Sequence, residues 1–154
     1  MKIMFVCHGN ICRSPMAEFI LRHLAAREGI ALTVASTATS TEEIWNGVGN
    51  PFYPPAAAEL RLHGIPYKNR RAVLLLRSDY SKYDIFVGMD SANIRNMHRI
   101  FGADPQGKIH KLLEFCGRSH DVSDPWYSRD FGAAYKDIYE GCSALLKMIK
   151  EERI

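Results

Sequence analysis

The stretch that decides the reading is Ile3-Met4-Phe5-Val6 running directly into Cys7-His8-Gly9-Asn10-Ile11-Cys12-Arg13-Ser14-Pro15. An apolar run of this kind is a buried strand, and the residues after it form a tight loop that feeds a helix. Five residues separate Cys7 from Arg13, a spacing that lets the intervening backbone curl until its N–H groups converge above the Cys sulfur. Gly9 is free to take a dihedral closed to other residues, and Asn10 tolerates the left-handed region. Pro15 suits a first helical position, which makes Ser14 the expected N-cap. The loop and the helix N-terminus together form an anion hole, with Arg13 placed as a two-donor clamp on phosphate oxygens.

That setting favours the thiolate form of Cys7, because amides, a helix N-terminus and a guanidinium all face the sulfur. A thiolate beneath a bound phosphate is placed for in-line attack on phosphorus, giving a covalent phosphocysteine. Ser14 is then able to donate its hydroxyl to the sulfur. Two other readings start from the same residues. A free Cys after a strand is often a small buried hydrophobe, and Cys-x-x-x-x-Cys with His8 could be half of a metal site. A metal would need a second ligand pair, for which only His110, Cys116 and His120 stand available, without a compact knuckle. No nucleotide-binding Gly-x-x-x-x-Gly-Lys-Ser/Thr loop is present.

The segment resembles the active-site loop of the low-molecular-weight protein tyrosine phosphatases, Val-Cys-x-Gly-Asn-x-Cys-Arg-Ser-Pro, at Val6, Cys7, Gly9, Asn10, Cys12, Arg13, Ser14 and Pro15. A second landmark of that family, Asp-Pro followed by two aromatics, stands at Asp124-Pro125-Trp126-Tyr127. The resemblance implies a single phosphatase domain over residues 1–154 and phosphotyrosine in a protein as substrate. Inorganic phosphate would be the product, and no cofactor or metal would be needed. It also implies a phosphate cradle made by His8, Gly9, Asn10, Ile11, Cys12 and Ser14, with Ser36 holding Asn10. Trp45 is expected as one wall of the cleft, its neighbours Glu43, Asn46, Gly47 and Gly49 arguing for exposure.

Phosphocysteine chemistry needs an acid for the leaving oxygen. Asp124 is the candidate; taken alone, Asp-Pro is also ordinary turn chemistry, and the family's general-acid loop is what gives it the catalytic role. Trp126 and Tyr127 supply apolar walls for an aromatic leaving group. Asp90 reads as the cap of the helix after it. Departures from the family pattern are Asn50-Pro51-Phe52-Tyr53-Pro54-Pro55 on the cleft rim, Asn69-Arg70-Arg71-Ala72 where His-x-x-Arg is usual, and His8. The same fold serves phosphoarginine phosphatases, whose loop has Thr where Ile11 stands, and arsenate reductases, which use a closely spaced Cys pair that Cys116 and Cys142 do not make. A non-catalytic phosphotyrosine-binding module is the remaining alternative. Cys12 beside Cys7 in one loop suggests a redox switch.

Composition agrees with an enzyme of this size. The chain is 154 residues, 47% hydrophobic and 24% charged, with a net charge of +3 and a pI near 8.7. Its Lys and Arg are spread along the chain, which does not call for nucleic acid. No run reaches the roughly 18 apolar residues of a membrane span, Met1-Lys2 has too little apolar length after it for a secretory signal, and four Cys read as reduced thiols. The expected location is cytoplasmic.

Strand and helix patterns alternate after the first strand. Helices are expected from Pro15 to about Glu28, Pro55 to His63, Ser91 to Phe101 and Phe131 to Lys150. Strands are expected at Leu32–Ala35, Asp84–Met89 and Ile109–Leu113. This order predicts a three-layer α/β fold, a parallel sheet with helices on both faces, with ligands beyond the strand C-termini. The family resemblance makes it a four-stranded, flavodoxin-like sheet.

Overall fold

The computed structural model describes all 154 residues. Four parallel strands make one sheet in the order β2-β1-β5-β6: β1 (Lys2–Cys7), β2 (Thr33–Ala38), β5 (Ile85–Gly88) and β6 (Ile109–Lys111). A two-stranded hairpin, β3 (Ile44–Trp45) with β4 (Val48–Gly49), stands apart from it. The helices are α1 (Arg13–Arg27), α2 (Pro54–Leu62), α3 (Ser91–Phe101), the short α4 (Pro125–Ser128) and α5 (Phe131–Lys150).

β1 is paired along its length, Ile3 to Ile85 on one side and to Val34 on the other. Successive side chains of a strand point to opposite faces. Ile3, Phe5 and Cys7 therefore enter the larger core with α1, α2 and α5. Met4 and Val6 enter a smaller one with Phe86 and with Met97 and Phe101 of α3. Burial on both faces is why the run is continuously apolar and not alternating. The chain leaves β1 toward β2 on one side and returns to β5 on the other, so the strand order reverses at the C-terminal end of β1. Ligands bind open α/β sheets at such a switch point. Cys7 occupies it.

The predicted layers and strands are present, with shifted ends. β2 runs on to Ala38, because its backbone continues to pair with Cys7. Ile109–Leu113 is strand only to Lys111; the chain then tightens into a 3-10 turn, Leu112–Cys116, which turns Leu112 and Leu113 into the core under α5. The hairpin and a second 3-10 turn, Arg77–Ser81, lie outside the sequence expectation. Asn46 and Gly47 both take positive φ there, the signature of a tight hairpin turn.

Candidate active site

The loop between β1 and α1 is held by Asn10, the one residue of 7–13 in the left-handed region, at φ 58°. Gly9 does not use its conformational freedom. Its role is space, since a Cβ there would stand 3.0 Å from Cγ of Glu43. Asn10 is wholly buried, so each of its polar groups needs a partner. Its Nδ2 donates to Ser14 Oγ at 2.8 Å and to Ser36 Oγ at 3.0 Å. Ser36 in turn donates to Glu18 at 2.7 Å. Asn10 Oδ1 accepts from Arg70 Nη2 at 2.5 Å and from Val73 N at 3.0 Å, and its carbonyl accepts from Arg70 Nη1 at 2.8 Å.

Ser14 is not the N-cap. The helix begins two residues earlier than expected, at Arg13, with Cys12 in the cap position and no side-chain cap. The Ser14 hydroxyl is committed elsewhere: its oxygen lies 3.0 Å from Cys7 Sγ. Because Asn10 already donates to that oxygen, the hydroxyl hydrogen is left for the sulfur. The Asn10 amide also points at Sγ, at 3.3 Å.

Arg13 is 3% exposed. Its fork is fixed by Val122 O, accepting from Nη1 at 2.7 Å, and Asp90, accepting from Nη2 at 2.9 Å. Burial works against its charge, and the neighbouring Cys7, Asp90 and Asp124 outweigh burial, raising its pKa. Asp90 does cap α3, accepting from Asn93 N at 2.8 Å, and also anchors the guanidinium. Asp124 sits across the cleft with its carboxylate 3.6 Å from Arg13 Nη2. Its other oxygen accepts from Trp126 N at 3.0 Å, which fixes the carboxylate at the N-terminus of α4. Burial, and then the neighbouring Cys7 and Asp124, push the Cys12 thiol well up, against the opposing pull of Arg13 and Arg129. Cys12 is thus a protonated neighbour of the nucleophile candidate.

These side chains surround one small cleft of about 70 Å³, lined by Cys7 to Arg13, Asp124, Trp126 and Tyr127, together with Glu42 and Glu43. Trp45 is exposed, at 79%, but the structure does not place it on this lining. The tight turn at Asn46-Gly47 carries it on the hairpin, and Glu42 and Glu43, from the segment leading into the hairpin, take the place expected for it. His8 turns outward and pairs with Glu42. His110, considered as a metal ligand, lies instead against Glu114 and Phe115.

Sequence reasoning leaves Arg70 and Tyr53 without partners. The segment 70–75 extends the sheet edge beside β2, through Ala38 N to Val73 O at 2.7 Å and Leu75 N to Ala38 O at 2.8 Å. This brings Arg70 beneath the loop. Tyr53, in the departing rim stretch, has its ring 5.2 Å from Trp126 and its hydroxyl accepting from Arg129 at 3.1 Å. Nothing local to either residue signals a contact made 60 or 76 positions away.

The support of Asn10 gives a first prediction. A Cβ on Gly49 would stand 2.0 Å from Ala72 O and 2.6 Å from Ala72 N, and backbone cannot give way cheaply. Gly49→Ala is expected to destabilise the fold by roughly 1–3 kcal/mol and to lower turnover, since it displaces the segment that holds Asn10. Thermal melting and kinetics check this; unchanged values in both would mean the 70–73 segment does not set the loop.

The family model for low molecular weight phosphotyrosine protein phosphatase matches residues 2–154. The chain is 34% identical over 154 residues to the low molecular weight protein-tyrosine-phosphatase YfkJ of Bacillus subtilis, covering 99% of this chain and 97% of that one. The crystal structure of YfkJ superposes with a TM-score of 0.92 over 100% of this chain and 97% of its own, at 33% identity. PtpA of Staphylococcus haemolyticus, also a low molecular weight protein-tyrosine-phosphatase, is 36% identical over 97% of this chain and 94% of its own. A Drosophila arginine phosphatase is similar too, with a TM-score of 0.87 and 30% identity over 97% of this chain and 98% of its own.

Proposed function

Since this chain belongs to the low molecular weight phosphotyrosine protein phosphatase family, we propose that it hydrolyses phosphotyrosine in protein substrates, and small aryl phosphates, through a phosphocysteine at Cys7. The observation that carries this is the convergence of Cys7, Arg13 and Asp124 on one cleft with apolar walls. In the first step the Cys7 sulfur bonds to phosphorus as the bond from phosphorus to the aryl oxygen breaks, and Asp124 gives its proton to that oxygen. In the second, water attacks phosphorus, its proton passes to the ionised Asp124, and the sulfur leaves as thiolate with Ser14 donating to it. Arg13 and the loop amides bind the equatorial oxygens in both steps. Among the same-fold alternatives, Ile11 favours the aryl substrate over phosphoarginine. A side chain with no hydrogen-bonding group offers nothing to a guanidinium, and it packs well against a phenyl ring.

The test is turnover of an aryl phosphate in the presence of a chelator, set against phosphoarginine and arsenate. Rapid, chelator-resistant release from the aryl ester alone is expected. Activity that vanishes with chelator and returns with zinc or magnesium would overturn the mechanism.

Asp124→Asn supplies a second check. It should slow esters with poor leaving groups strongly, by about 10²–10⁴-fold, and activated aryl phosphates much less, because these depart without a proton. Equal loss across a leaving-group series would assign Asp124 to structure, as the cap of α4.

We infer also that Cys12 protects the nucleophile. Peroxide converts the Cys7 thiolate to a sulfenic acid, which condenses with the Cys12 thiol, forming a disulfide and releasing water. Cys12→Ser should keep basal activity but fail to recover with thiol after peroxide. Equal recovery of both proteins would discard the switch.

A further inference from the structure

Outside the catalytic cleft, one concavity gathers charge of a single sign. A groove beside α2 has Arg61, Arg70 and Arg71 in its wall with Tyr67, and no carboxylate lines it. None of these three guanidiniums takes part in an ion pair anywhere in the molecule. Each guanidinium carries five N–H donors. Arg61 uses Nη1 on the Tyr67 hydroxyl, Arg71 uses Nη1 on Gly49 O at 3.0 Å, and Arg70 uses Nη1 and Nη2 on Asn10. Their remaining donors make no hydrogen bond within the molecule. An anion placed in this hollow fills the open donors and offsets the positive charge that lines it. A phosphoryl group suits the planar forks best, through paired N–H···O bonds.

We propose that this groove is a second phosphoryl-binding site, coupled to the catalytic loop through Arg70. Binding stands on the groove alone; the coupling rests on the phosphatase reading above. Arg70 belongs to both sites, lining the groove while its two Nη atoms hold the carbonyl and side chain of Asn10. Burial lowers the Arg70 pKa from its ordinary value; Glu18 and Cys7 favour its cation, and Arg22 opposes it. An anion drawing on the same guanidinium shifts the grip on Asn10. The groove also continues from the catalytic rim: Pro54, next to the rim residue Tyr53, lines it. A polypeptide crossing Tyr53 out of the cleft passes into it. The phosphoryl group therefore has two sources, free inorganic phosphate or a second phosphorylated residue on the substrate.

The experiment titrates inorganic phosphate into ¹⁵N-labelled protein, unmodified and carboxymethylated at Cys7, following the arginine Nε–H and Asn10 amide signals. The unmodified chain should bind two phosphates and the blocked chain one, with Arg61, Arg70, Arg71 and Asn10 moving together in the blocked chain. In Arg61→Gln, and further in Arg61→Gln/Arg71→Gln, that remaining affinity should fall, by about tenfold or more in the double variant, with basal turnover of an aryl phosphate unchanged in Arg61→Gln. Arg61→Gln alone serves if the double variant folds poorly. A peptide with a second phosphoryl group several residues from the phosphotyrosine then separates the sources. A lower KM that is lost in the variant assigns the site to substrate, and an unchanged KM assigns it to free phosphate. Absence of saturable binding to the blocked chain, or binding that survives both variants, overturns the site. If the phosphatase reading were wrong, turnover would be missing while the groove titration stood.

Discussion

Cys7→Ser is expected to abolish turnover of aryl phosphates, by at least about 10⁴-fold, while phosphate or vanadate binding stays measurable. The loss comes from the atom replaced: a serine hydroxyl keeps its proton at neutral pH, and no base of the loop touches it, since His8 turns away to Glu42 and the neighbours of Sγ are the Ser14 hydroxyl and the Asn10 amide. The retained binding comes from the contacts left untouched. Asn10 remains held by Ser14, Ser36, Arg70 and Val73, so the loop keeps its shape, and Arg13 keeps its anchors. Oxyanion affinity read by calorimetry, beside kinetics, checks both halves. Residual turnover near wild type would remove Cys7 from the chemistry, and lost binding would show that the sulfur holds the loop.

Arg13→Lys carries the second large effect, expected on the order of 10²–10³ in turnover. An ammonium is a point charge and cannot reproduce a planar fork. Here the fork has a further duty, because one side chain satisfies both Val122 O and Asp90 while presenting its remaining donors to the cleft. A lysine that reaches Asp90 must leave Val122 O without its donor, and its charge is drawn away from the transferring group. The loss should fall on kcat and on phosphate affinity together, with the melting temperature showing that the fold persists. Near-wild-type kinetics would contradict the clamp.

What the sequence disclosed and what it withheld divide along physical lines. Cys7, Arg13 and their loop are contiguous, and local backbone chemistry sets their geometry, so spacing alone predicts it. The alternation of elements gives the parallel sheet, and with it the position of Cys7 beyond a strand end. Asp124 is different: its Asp-Pro reads as a turn, and only the resemblance ties it to a loop more than a hundred residues away. Arg70 has no such tie. Its contact with Asn10 depends on the 70–75 segment pairing beside β2, a register that no periodicity in Asn69-Arg70-Arg71-Ala72 announces. Ser14 shows the opposite error. Cap chemistry expects it to bond the helix backbone, but the buried Asn10 amide and the Cys7 sulfur compete for the same hydroxyl and win. Trp45 is exposed, as its polar and glycine neighbours predict; Asn46-Gly47 is a local hairpin signal, and where that hairpin stands relative to the cleft is the long-range placement.

The central claim is that phosphorus passes through the Cys7 sulfur. Its most direct measurement is rapid quenching of the chain during turnover of a ³²P-labelled aryl phosphate, followed by mapping of the labelled peptide. The account predicts label on the peptide containing Cys7, bonded through sulfur, forming as fast as the phenol is released and absent from Cys7→Ser. Phenol release with no labelled protein at any time, and with water oxygen entering phosphate in the same step, would contradict it.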